Sequence, residues 1–175
     1  WPLSQGELGG GGDGFIEWAF SPRTHSVEVG DLSRYDYAQL VAQGGFPEAT
    51  ARKDIRRSRW FNGYATTLVE KVVRQVSAIE RIGELPRVMQ LCAARSGQEL
   101  NVTRLAHDLG IPPRTLDGYL ALLANVFVLQ LIPAWSTNLS SKVIRRAKLV
   151  MVDCGLASHL AGFAPDRIDD PTAPF

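Results

Sequence analysis

The chain has 175 residues, 45% of them hydrophobic and 21% charged, with a formal net charge of +1. That length holds one sizeable core, or one compact domain with an appended piece, and the composition excludes a disordered or fibrous chain. Near-neutral charge excludes a global field that draws the chain onto nucleic acid or anionic lipid, so a polyanion site has to be local. No apolar run approaches the roughly 18 residues that cross a bilayer, and no charged segment followed by an apolar one opens the sequence. A cytoplasmic setting without a membrane partner is therefore expected. Cys92 and Cys154 stand far apart, so a disulfide framework is not indicated and both are expected to be buried free thiols.

In chain order, "WPLSQGEL" runs straight into "GGGGDG" and reads as the middle of something, with a segment expected upstream. A phosphate-binding loop needs Lys followed by Ser or Thr where Gly9 to Gly14 is followed by Phe15 and Ile16, so the glycines read as a flexible connector. "FIEWAF" at 15–20 is a short helix or strand packed by Phe15, Trp18 and Phe20, and "SPRTHS" is a loop. Asp31 or Ser33 caps a helix through Tyr37, Leu40 and Val41, which Gly44, Gly45 and Pro47 terminate. From Ser58 the apolar positions Phe61, Tyr64, Leu68, Val72, Val76 and Ile79 recur every three or four residues, the buried face of a long helix. "RKDIRRSR" just before it carries Arg52, Lys53, Arg56, Arg57 and Arg59 against Asp54. It reads first as a solvated helix face or a surface meeting another domain, with a nucleic-acid patch as the alternative.

A further helix starts at Pro86, buries Val88, Leu91 and Cys92, and stops near Gly97. "VTRLAHDLGIPPRTLDGYL" at 102–120 then has the pattern of two helices crossing at a tight corner. Leu105 and Leu109 line the first helix, Ala106 allows close approach, Gly110 takes the positive φ of the corner, and Ile111, Leu116, Tyr119 and Leu120 bury the second. "VFVLQLI", a break at Pro133, "STNLSS" and "KLVMVD" read as two strands joined by a loop. The predicted fold class is mainly α with a small β wing: a helical segment followed by a winged helix-turn-helix domain over about residues 85–153.

A winged helix does not by itself imply DNA binding, because such domains also serve as protein contacts or hinges. The second helix of the pair exposes Pro113, Arg114, Asp117, Gly118 and Ala121, a poor set for reading base edges, with Arg114 as the single plausible base contact. Lys142, Arg145, Arg146 and Lys148 gather positive charge on the wing. Phosphate contact by Lys142, Arg145 and Arg146 and contact with an acidic protein partner, or simple solvation of the loop, remain open readings. His25, His107 and His159 are not spaced as metal ligands and neither cysteine has a neighbour suited to metal or thiolate-pair chemistry, so no catalytic, metal or cofactor site is expected within the chain. "DRIDDPTAPF" reads as a frayed tail or the start of a linker.

The segments "GGFPEA" (44–49), "RSRWFNGYATTLVEKVV" (57–73), "VTRLAHDLGIPPRTLDGYLALL" (102–123) and "KLVMVDCGLASHLAG" (148–162), in this order, resemble the C-terminal region, DUF4143, of bacterial and archaeal AAA-type ATP-binding proteins. "PLSQGEL" is similar to the stretch that closes the ATPase domain there. Where that family reads Leu-Glu-Arg-Asp, this chain has Val69, Glu70, Lys71 and Val72. Asp153, Gly155 and Leu156 match a segment that some relatives continue into a nuclease-like fold, but one aspartate does not make a metal-dependent nuclease. The resemblance implies an upstream ATPase domain as partner, with ATP and Mg as cofactors of the longer parent and not of this chain. It divides the sequence into the end of an ATPase-type domain with a connector (1–43), a helical segment (44–84), a winged-helix domain (85–160) and a tail (161–175). Nucleotide state would then be coupled to a partner or to weak, non-specific DNA contact. In the alternative, the chain is a lid and packing fragment of an ATP-hydrolysing enzyme with no DNA role.

Overall fold

The computed structural model describes residues 1–10, 15–21, 31–75, 82–135, 137 and 146–170. The fold is mainly helical with one small antiparallel sheet. Its helices are α1 (Gln5–Leu8), α2 (Phe15–Ala19), α3 (Arg34–Gln43), α4 (Pro47–Thr50), α5 (Asp54–Gln75), α6 (Leu85–Ala94), α7 (Val102–Leu109), α8 (Pro113–Asn125) and α9 (Cys154–Ala161). Strands β1 (Leu129–Ile132) and β2 (Lys148–Met151) follow α8. Among the described residues, no helix is long and apolar enough to cross a membrane.

Local chemistry explains most boundaries. Ser33, not Asp31, caps α3: its hydroxyl accepts from the Asp36 N–H while the Asp36 carboxylate accepts from the Ser33 N–H. Gly44, at φ 69°, ends that helix. Helix α5 begins at Asp54, earlier than the apolar spacing indicates, so "RKDIRRSR" is largely inside the helix and not ahead of it. A guanidinium explains the early start, since Arg57 Nε donates to the carbonyls of Ala49 and Arg52 and ties the first turn of α5 to α4. Phe61 and Leu68 are buried on its inner face as expected. Val76 and Ile79 lie outside the described residues.

Helix α6 carries Pro86 in its first turn and buries Leu85, Val88, Met89 and Cys92. The Asn101 side chain caps α7 by accepting from the Arg104 N–H at 3.1 Å. Gly110, at φ 68°, closes α7 and the Ile111 N–H returns to the Ala106 carbonyl, the wrapped C-terminus that lets the chain turn into α8 at Pro113. Helix α8 ends with the same wrap, Val128 N–H to Leu123 O, yet Phe127 holds the position of positive φ at 57°. Leu116, Tyr119, Leu120 and Leu123 of α8 join Leu105, Ala106 and Leu109 of α7, the inner residues of α6, and Leu129, Leu149, Met151 and Leu156 in one apolar cluster. Helix α9 packs across α6 and α3 behind the sheet.

In the sheet, Leu129 faces Met151 and Ile132 faces Lys148. The other edge of β2 is also paired: Leu149 N–H donates to Gln98 O, Gly97 and Leu100 N–H donate to Leu149 and Ala147 O, and Glu99 bridges Lys148 antiparallel. Strand β2 is thus the middle of three chain segments.

Three further expectations are corrected. Residues 15–19 are helical, but Trp18 and Phe20 are exposed, at 42% and 85%, and do not join the buried core. Cys92 is buried but Cys154 is exposed, since it stands in the first turn of α9 where only the opposite face meets the core. The residues before 171 are not frayed. Arg34 reaches from the start of α3 to the Asp169 carboxylate at 3.2 Å and the Ile168 carbonyl, and Arg167 pairs with Asp170 at 2.8 Å. The glycine connector at 11–14, most of the loop between the strands and residues 171–175 lie outside the described residues.

Candidate nucleic-acid interface

The pairing of 97–100 with β2 brings together parts of the chain that carry positive charge. A cleft of about 210 Å³ opens between the end of α6, the start of α7 and the start of β2. Arg95, Arg104 and Arg146 line it, with Gln98, Asn101 and Glu99 between them. Arg95 is engaged, its guanidinium 3.6 Å from the Asp108 carboxylate. Arg104 and Arg146 are exposed and form no ion pair among the described residues. The N-terminus of α7 adds a partial positive charge to the same wall.

Of the sequence-predicted residues, the structure therefore brings Arg146 to a site with other arginines. Arg114 does not line the cleft and stands exposed in the first turn of α8, with exposed Asp117 one turn on. Lys142 and Arg145 lie outside the described residues. Sequence reasoning missed Arg95 and Arg104. The signal for Arg104 was available, because Asn101 three residues earlier marks a capped helix start and puts Arg104 in the first turn. The signal for Arg95 was not, because "GQEL" is too short and polar to read as a sheet segment. In the earlier basic stretch, Arg57 is occupied by backbone carbonyls and Arg52 by Glu48, which leaves Lys53, Arg56 and Arg59 exposed.

The other polar groups of note serve the architecture. Asp153 is only 2% exposed; its Oδ2 accepts from Gly45 N–H at 2.7 Å and its Oδ1 from Leu156 N–H at 2.6 Å. It thus caps α9 and clasps the turn after α3. Burial pushes its pKa above the ordinary carboxylate value, against the opposing pull of the Gly45, Leu156 and Gly155 N–H groups. Gly44 is required there: a Cβ on it would lie 2.6 Å from Asp153 Oδ1. His159 stacks on Phe61 and meets Asn62 Oδ1 at 3.1 Å, and burial lowers its pKa. Among the described residues, no group of three or more His, Cys, Asp or Glu is placed to hold a metal ion.

A helical domain with a small sheet and an arginine-lined cleft is the class these features define. The chain belongs to the family described as Domain of unknown function (DUF8612), which matches residues 34–167. This corrects the resemblance to DUF4143, and with it the ATP-binding and AAA ATPase assignment. The uncharacterized proteins Mb2031c of Mycobacterium bovis and Rv2008c of Mycobacterium tuberculosis are each 27% identical over 161 residues, and their names carry no ATPase activity. That match covers 89% of this chain but 36% of each relative, so the chain spans about a third of their length. No solved structure matches. The expectation of an upstream ATPase domain with ATP and Mg rested on the DUF4143 resemblance and loses its support with it.

Proposed function

We propose that residues 85–153 form a winged-helix module that contacts DNA weakly through phosphates and does not read sequence. The order helix, bridged segment, helix, helix, strand, strand supports the winged-helix reading, with the isolated bridge at Glu99 standing where the first strand of such a domain would pair beside β2. The observation that carries the functional reading is the placement of Arg104 and Arg146, free of carboxylate partners among the described residues, at one cleft beside the helix pair. Phosphate contacts of this kind position a protein on a duplex and carry no sequence information. On α8 the exposed pair Arg114 and Asp117 offers one guanidinium and one carboxylate, so base readout is poor.

Fluorescence anisotropy on random duplexes at several salt concentrations tests this. Log affinity is expected to fall with log salt at a slope of about −0.9 per phosphate neutralised. Replacing Arg145 and Arg146 with Ala weakens binding to every duplex about equally, whereas Arg114→Ala has a modest effect. No binding at low salt, or tight and salt-insensitive preference for one sequence, overturns the proposal.

A further inference from the structure

We propose that the cleft between α6, α7 and β2 is a seat for a single phosphoryl group, held by Arg104 and Arg146. This deepens the reading above by naming the chemistry of one contact, and it rests on that reading only for the source of the phosphate.

Four features of the cleft fit that ligand. At about 210 Å³ it is the size for one tetrahedral anion with its waters rather than for an extended ligand. Guanidinium groups arrive from two separate segments, α7 and the two residues that lead into β2, so an anion between them gains hydrogen bonds from both sides. The neutral amides of Gln98 and Asn101 complete the polar wall without adding negative charge. Arg95, the third guanidinium, already faces Asp108, which holds it in place and leaves the anion to the other two. Glu99 is the one carboxylate among the described residues of the lining; it is exposed, and its charge opposes an anion across the cleft. That opposition sets the affinity low for the isolated group and gives the proposal a second, independent test.

The probe is inorganic phosphate, titrated into the isotopically labelled chain at constant ionic strength and followed by NMR, with chloride as the control. Phosphate is expected to move the amides of residues 98–104 and the side chains of Arg104 and Arg146 before other arginines. Arg104→Gln and Arg146→Gln each remove one charge-assisted contact and weaken binding about tenfold. Glu99→Gln removes the opposing charge and tightens binding several-fold, a gain that loss of folding cannot imitate. Shifts spread evenly over all arginines, equal shifts with chloride, or unchanged affinity in Glu99→Gln overturn the seat. Competition between phosphate and a duplex assigns the seat to the DNA backbone; phosphate binding that leaves duplex affinity unchanged assigns it to a small phosphorylated ligand. A duplex that binds while phosphate leaves the cleft untouched sinks the seat but not the DNA reading. Phosphate binding without duplex binding does the reverse.

Discussion

Replacing Asp153 by Asn changes one oxygen into an NH2 group at a place where both oxygens are in use. Oδ2 accepts from Gly45 and Oδ1 from Leu156, so either orientation of the amide sets its NH2 against a backbone N–H. Asn caps helices about as well as Asp, so the stable orientation keeps the oxygen on Leu156 and leaves the Gly45 N–H without an acceptor. A buried unsatisfied donor costs about 1–3 kcal/mol. Water cannot relieve it, because Asp153 is 2% exposed and Gly44 is packed against the carboxylate so closely that a Cβ would stand 2.6 Å away. The expected loss at neutral pH is therefore about 2 kcal/mol, read from urea unfolding followed by far-UV circular dichroism with an unchanged m value. A variant within about 0.5 kcal/mol of the parent would refute the reasoning. The pH dependence gives a second readout. Burial raises the Asp153 pKa in the folded chain above its unfolded value, so between the two the native state binds more protons and stability falls as pH rises. Above the folded pKa this contribution is flat. Asp153→Asn lacks it, so the stability difference between parent and variant changes with pH only in that acidic window; a difference that grows above neutral pH contradicts the assignment.

Leu116→Ala empties a fully buried position between α7 and α8 and is expected to cost about 2–5 kcal/mol; an unchanged melting temperature contradicts the packing. Phe127 holds a left-handed backbone and is 64% exposed, with an edge contact between its ring and Trp1, so Phe127→Asn, which suits that conformation but gives up the ring contact, is expected to raise stability by up to about 0.5 kcal/mol in the same unfolding assay, and by about 0.5–1 kcal/mol when Trp1 is replaced by Ala in both chains compared. Burial pushes the Cys92 thiol up to about 12, so iodoacetamide at mildly alkaline pH is expected to modify Cys154 first and Cys92 only on unfolding, as peptide mass mapping would show.

The helix pair was legible because each of its signals is local. Gly110 and Pro113 mark the corner, and Leu105, Leu109, Leu116 and Tyr119 repeat at helical spacing. The two strands were legible for the same reason, as apolar runs on either side of Pro133. What escaped depends on pairing across distance. The segment 97–100 has no strand pattern of its own and is ordered by β2, about fifty positions later, so the cleft it builds could not be seen. Arg57 looked like one charge in a basic run, while in the fold it satisfies the carbonyls of Ala49 and Arg52. Asp153 was noted for a resemblance, and its tie to Gly45 emerges only when the turn after α3 meets α9.

That tie also sets how the domain carries load. The Leu3 N–H holds the Gly45 carbonyl at 2.7 Å, the Gly45 N–H holds Asp153, and Asp153 holds the first turn of α9. Gly45 is also bonded covalently to Gly44 and Phe46, so a pull on the first residues loads the Leu3 link in full and the Asp153 links only in part. The Leu3 link is the one within reach of water, whereas the Asp153 links are sealed. Tension therefore parts the outer link while the inner two stay closed, and the opening segment behaves as a mechanical fuse that spares the core behind it.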